Sequence, residues 1–246
     1  GSLKISSSGS LGKLKSQMQF QNSNSKINYS GMVELNNYII SGFKGNLEIS
    51  TNNLNGILDI SEEGDTIFSS GIEKKNNVLS IENIKVNNSN YKYSGNIIIN
   101  NMENNFFDLD VDLEANTLDF LTLKNMYNYF YLNSDSKFYG DLKINSDLFN
   151  INEYQISDFE FLINLNKDSI NLKKADGKLF GGFVNTSAKV LYENLYEYNG
   201  KIIFKNIKSS DFFNNYFIYD KFNSEISSEF IIKGKANSFN EFFETM

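Results

Sequence analysis

The sequence predicts an all-β protein, because one glycine-centred phrase recurs along it and apolar residues alternate with polar ones between turn residues. The phrase has an apolar residue, a spacer, a glycine, and further apolar residues two and four places on. Its glycines are Gly31, Gly45, Gly56, Gly95, Gly140, Gly182, Gly200 and Gly234. Successive residues of a strand point to opposite sides, so positions −2, 0, +2 and +4 share one face.

The positions around these glycines predict strands with one apolar and one polar face. All the +2 and +4 residues except Thr186 and Ser238 are apolar. The +1 and +3 residues are mostly Asn, Lys, Asp and Glu. The apolar exceptions are Met32, Ile57, Ile98, Phe183 and Ile203. The apolar face is therefore the feature that a function has to explain.

Alternation bounded by Asn, Ser and Gly marks strands from the first third of the chain to its end. They are Lys26–Leu35, Asn46–Ser50, Ile57–Ile60, Val78–Val86, Tyr91–Ile99, Phe106–Glu114, Gly140–Ile144, Phe159–Leu165, Ser169–Lys173, Phe183–Leu191, Tyr198–Phe204 and Ser224–Lys233. Phe180-Gly-Gly182 lies between two of them and predicts a tight turn or bulge.

Three segments break this rhythm and predict short helices. Leu118–Leu132 is densely apolar without alternation and follows Asn116-Thr117, which has the composition of a helix N-cap. Ser210–Tyr219 begins Ser-Asp-Phe-Phe, and Ser238–Met246 carries a capping-box pattern.

The composition excludes several classes of chemistry. The 246 residues include no His, Cys, Pro or Trp. Thiol nucleophiles, disulfides and zinc–thiolate sites are therefore impossible, and the commonest general base is missing. The net charge of −7 argues against nucleic acid as a partner. We expect a protein that is not an enzyme and that has no cofactor or metal.

Two motifs that invite a functional interpretation have simpler structural ones. Asp108, Asp110, Asp112 and Glu114 alternate with apolar residues, which predicts the charged solvent face of a strand rather than a calcium loop. The aromatic residues at the −2 positions are expected to cover the bare backbone of strand glycines.

A sheet with one apolar face must cover it with other protein or with something that is not protein. The chain shows no linker, charge block or composition shift, so we predict a single elongated domain over residues 1–246, an excerpt of a longer protein. Two architectures remain. One is an elongated, mainly antiparallel and strongly curved sheet that forms a U-shaped hydrophobic groove, with a few short helices. The other is a closed β-sandwich that serves as a structural or adhesive surface module.

The chain resembles the AsmA family of Gram-negative envelope proteins over residues 70–240. The segments that carry the resemblance are Leu172–Gly182 with its Asp-Gly and Phe-Gly-Gly, Tyr198–Phe213, Glu229–Ser238, and the earlier Leu79–Ile99 with Leu109–Leu121. The resemblance implies a groove-forming β-sheet in the periplasm, anchored in the inner membrane through a segment absent from this chain. It implies phospholipid or another acyl-chain lipid as the ligand, and inner and outer membranes as partners, during transfer to or homeostasis of the outer membrane.

The repeat positions give the expected lining of the groove. The predicted lining residues are Val33, Leu35, Leu47, Ile49, Leu58, Ile60, Ile97, Ile99, Leu142, Ile144, Val184, Ile202 and Phe204. Asp at Ile99 and Ile144 is expected to abolish lipid association and to leave a soluble fold.

Overall fold

The protein is all-β in a computed structural model. The structure describes residues 1–10, 12–37, 39–51, 66–87, 91–100, 106–121, 123, 137–192, 196–214 and 224–236. Predicted strand Ile57–Ile60 lies outside them, as do predicted helix Ser238–Met246 and the lining residues Leu58 and Ile60.

The described part contains fourteen strands and one assigned helix. The strands are β1 (Ser2–Ser10), β2 (Lys13–Gln21), β3 (Ser25–Asn36), β4 (Ile39–Thr51), β5 (Thr66–Lys75), β6 (Val78–Asn87), β7 (Lys92–Asn100), β8 (Phe106–Asp119), β9 (Lys137–Ile151), β10 (Tyr154–Asn166), β11 (Ser169–Leu179), β12 (Gly182–Tyr192), β13 (Tyr196–Lys208) and β14 (Glu225–Ala236). The helix is α1 (Ser209–Asn214).

The sheet order follows the chain order from β1 to β14, and the registered neighbours are antiparallel. The chain divides into two compact units, Gly1–Phe138 and Tyr139–Met246. The predicted all-β, mainly antiparallel sheet is therefore confirmed. Strands β1, β2 and β5 are additional to the strands that the sequence predicted.

The predicted helix Leu118–Leu132 is wrong at its start, since β8 continues through Leu118 to Asp119 before helical backbone begins at residue 120. Asn116 does not cap a helix. Its side-chain oxygen accepts a hydrogen bond of 2.6 Å from the backbone N–H of Lys92 on the neighbouring strand. Leu118 is only 2% exposed, so this end of β8 is fixed by tertiary contacts. The short helix α1 agrees with the first half of the predicted helix Ser210–Tyr219, whose residues 215–219 lie outside the described residues.

Phe180 and Gly181 form the tight turn that Phe180-Gly-Gly182 predicted. Their φ angles are 48° and 72°, and Leu179 pairs directly with Gly182, as in a two-residue hairpin of the primed type. Positive φ angles also occur at Asn37, Asn76 and Asn152, in turns between strands. Asparagine tolerates this left-handed region better than most residues, which accounts for its frequency at these breaks.

Candidate functional site

The strand registers place the apolar residues of successive strands on a common face in each unit. In the amino-terminal unit, Ile27 pairs with Ile49, and Val33 pairs with Phe43. In the carboxy-terminal unit, Ile144 pairs with Phe161. The register shifts do not break this continuity. At each bulge, two residues of one strand lie opposite one residue of its neighbour, so the apolar residues beyond the bulge return to the same face. The bulge in β6, with Asn83 at a φ of 53°, for example returns Ile84 to the face of Ile81.

The described members of the predicted lining set all occupy this face by register. They are Val33, Leu35, Leu47, Ile49, Ile97, Ile99, Leu142, Ile144, Val184, Ile202 and Phe204. Their burial differs, however. Ile144 is 3% exposed and Val184 is buried, whereas Val33 and Leu47 are only half-buried.

Strand glycines on the apolar face bring neighbouring backbones close together beneath aromatic rings. Gly31 pairs directly with Gly45, and the ring of Tyr29 lies over both. A Cβ atom at Gly45 would come 2.8 Å from this ring. Tyr198 similarly lies over Gly234 on the adjacent strand. The expectation that −2 aromatic residues cover bare backbone is confirmed at these sites.

The apolar face is more exposed at the start of the chain than in the carboxy-terminal unit. Among the described residues of β1 to β4, no apolar side chain is buried, and Leu3 and Ile5 are 58% and 66% exposed. In the carboxy-terminal unit, the rings of Phe149 and Phe159 stack with centroids 4.1 Å apart and are 4% and 3% exposed. This buried cluster changes the expectation for Ile144, because an aspartate there would bury an unpaired charge and destabilise the fold.

The opposite face is charged and solvated. Its cross-strand ion pairs include Lys13–Glu34 at 3.1 Å and Lys201–Glu229 at 2.9 Å. Hydrogen bonds from Asn164 and then Lys173 lower the pKa of Asp141 on this face. Exposed pairs of this kind contribute about 0–1 kcal/mol each, so their main effect is to keep this face in water.

The acidic ladder of β8 belongs to the same charged face. Asp110, Asp112 and Glu114 are exposed, while Leu109 and Val111 pair with apolar residues of β7 on the other side. The predicted solvent face is confirmed. Within the described ranges, no group of three or more acidic residues is arranged to hold a metal ion.

Two features of the apolar face escaped the sequence analysis. At one end of β7 and β8, the hydroxyl of Tyr91 donates a 2.9 Å hydrogen bond to Asp119, and the rings of Tyr91 and Tyr93 stack. Burial is the main cause that raises the pKa of Tyr93 above its usual value, with Tyr91 and Asp119 adding to it. Lys74 of β5 also lies on this face, between Phe43 and Leu79. Its spacing of two from Ile72 is the signal that was available in the sequence.

Comparison with known proteins adds no relative to these observations. No protein-family model, curated protein or solved structure matches the chain. In the portion that the structure describes, none of the helical residues form a span long and apolar enough to cross a bilayer. The sheet and its two chemically different faces are therefore the features that bear on function.

Proposed function

We propose that this chain binds the acyl chains of phospholipid or a similar lipid along its apolar face, as part of a larger AsmA-like envelope protein. The observation that carries the proposal is the continuity of that face, which the registers maintain from strand to strand while the opposite face stays charged. The protein acts by shielding hydrocarbon from water, not by catalysis.

The strand pairing favours a groove over a sandwich. A β-sandwich needs two stacked sheets, whereas the described strands form one sheet in chain order. Among the described residues of β1 to β4, every apolar side chain is exposed or half-buried, which supports an apolar face without a full protein cover.

The energetics of such a face suit acyl chains. Each methylene group that leaves water contributes about 0.8 kcal/mol, so a lipid with two long chains gains enough to bind without any specific polar contact. The apolar residues of β1 to β4, none of which is buried, offer accessible surface for this purpose.

The cellular setting is part of the proposal and comes from the family resemblance. In it, the chain is a periplasmic segment anchored in the inner membrane by a part outside this sequence. It holds or conducts phospholipid during transfer to, or homeostasis of, the outer membrane.

A closed structural module is the second candidate, and one observation favours it. The apolar face of the carboxy-terminal unit contains side chains as buried as those of an ordinary core, such as Ile156 at 7% and Ile207 at 4% exposure. A face that is closed by protein has no room for lipid.

The test uses two neighbouring residues of β3 that lie on opposite faces. Val33 is half-buried between Leu14 and Phe43 on the apolar face. Met32 is 41% exposed on the other face, between Lys15 and Lys44. We expect Val33→Asp to reduce bound lipid strongly, because it places a charge where acyl chains lie. Met32→Asp is the matched control and should retain lipid, since its new carboxylate faces water and two lysines.

The measurement is solvent extraction and mass spectrometry of the chain purified without detergent, with a mock purification as blank. Stoichiometric phospholipid in the wild type and Met32→Asp, but not in Val33→Asp, supports the proposal. A folded wild-type protein free of lipid would refute it and favour the closed module. Circular dichroism of each variant establishes that a loss of lipid is not a loss of fold.

A further inference from the structure

Lys74 is the one charged residue among the paired positions of the apolar face in the described strands of the amino-terminal unit. Its partners in register are Phe43 on β4 and Leu79 on β6. The neighbouring position on its own strand is Ile72, which pairs with Ile81. A lysine at this position lies among hydrocarbon on three sides.

The ammonium group of Lys74 has no partner within the described residues. No hydrogen bond or ion pair joins it to another described side chain, although the side chain is half-buried. The nearest acid in sequence, Glu73, points to the opposite face and pairs there with Lys44. Lys13 and Lys44 lie on the charged face, and each has a carboxylate partner there.

The position of Lys74 along its strand suits a polar group at the rim of an apolar surface. It is the penultimate residue of β5, one residue before the turn that contains Asn76. A long lysine side chain covers apolar surface with its methylene groups and keeps its charge near water. A phospholipid is divided in the same way. Its acyl chains would lie on the apolar side chains, and its headgroup would lie at the solvated edge of the sheet.

We propose that Lys74 binds the anionic phosphate headgroup of a phospholipid whose acyl chains lie on the apolar face of β3 to β7. This inference rests on the proposed function and extends it by assigning the headgroup class and the end of the strands at which the headgroup lies. The acyl chains supply most of the affinity, and Lys74 supplies a preference for negative charge.

The experiment measures this preference separately from lipid binding itself. The purified chain is incubated with phosphatidylcholine vesicles that contain equal amounts of phosphatidylglycerol and diacylglycerol with the same acyl chains. The protein is then recovered by size exclusion, and its lipids are quantified by mass spectrometry. The variants are Lys74→Met, which keeps the unbranched apolar stem, and Lys75→Met, which removes a neighbouring charge from the opposite face.

We expect the wild type and Lys75→Met to enrich phosphatidylglycerol over diacylglycerol by roughly fivefold to tenfold. This is the size expected for one charge-assisted hydrogen bond that remains partly exposed to solvent. Lys74→Met should bind both lipids equally and hold as much diacylglycerol as the wild type. The enrichment should also weaken as salt is added, because screening acts on the ammonium–phosphate attraction.

The possible failures are distinguishable. If Lys74→Met keeps the enrichment, or if the wild type has none while it still binds diacylglycerol, the assignment of Lys74 is wrong and the proposed function stands. If neither lipid binds, both are wrong. If inorganic phosphate displaces phosphatidylglycerol from the wild type while chloride at the same ionic strength does not, the position is a phosphate site rather than a lipid headgroup site, and the inference is overturned.

Discussion

Gly31→Ala tests the close approach of β3 and β4 that the register implies. A Cβ atom at Gly31 would lie 2.3 Å from the carbonyl oxygen of Lys44 and 2.5 Å from the Cα atom of Gly45. Both atoms belong to the backbone of the adjacent strand, so no side-chain rotation relieves the contact. The φ angle of Gly31 is not positive, and the effect is therefore one of space rather than of backbone conformation.

The expected cost follows from the distance that the strand must move. Ordinary contacts of a Cβ atom begin at 3.4 Å, so β4 has to shift by ~1 Å at the point where it pairs with β3. Overpacking of this kind costs about 1–3 kcal/mol, and the ring of Tyr29 must also move, which favours the upper end of that range.

Gly71→Ala is the matched control. A Cβ atom at Gly71 meets only the carbonyl oxygen of Glu82, at an ordinary 3.5 Å. Because alanine restricts the unfolded chain, this variant should be unchanged or more stable by about 0.5 kcal/mol. Urea unfolding followed by far-ultraviolet circular dichroism, with hydrogen exchange of β3 and β4 amides, compares the two. Equal stability of Gly31→Ala and Gly71→Ala would contradict the glycine-on-glycine register.

Two further predictions concern stability. Asn83→Ala should lower the free energy of unfolding by about 1 kcal/mol, because φ is 53° at this bulge, while Asn83→Gly should not; urea midpoints that rank the variants otherwise would contradict this. The raised pKa of Tyr93 means that the folded state holds its proton more tightly than the unfolded state, whose pKa is near 10.0. Stability should therefore fall as pH rises above that value, and Tyr93→Phe should flatten the decline in alkaline melting curves. A decline that is equally steep in Tyr93→Phe would assign it to other groups.

The alternation of apolar and polar residues within a strand was sufficient to predict which side chains share a face. The apolar +2 and +4 positions predicted the common face of Val33, Leu47 and Ile97, and the acidic ladder of β8 predicted its exposed side. The turn at Phe180 and Gly181 followed from its composition in the same way.

Contacts between residues far apart in the sequence decided the ends of some strands and the presence of others, which the alternation pattern did not predict correctly. Asn116 has the composition of a helix cap, yet it accepts a hydrogen bond from Lys92, which lies 24 residues earlier in the chain, and β8 therefore continues to Asp119. Strands β1 and β5 lack the complete glycine phrase and are specified by pairing with β2, β4 and β6.

The sequence by itself determined that this protein is a succession of one-faced strands without histidine or cysteine chemistry, because side-chain alternation and composition are local properties. Only the tertiary structure decided how much of each apolar position is covered, since burial depends on which strands meet. It buries Val184 and leaves Val33 half-exposed, although both are the +2 residue of the repeat. It also places Lys74 among apolar neighbours, because the register of three strands sets what surrounds a side chain.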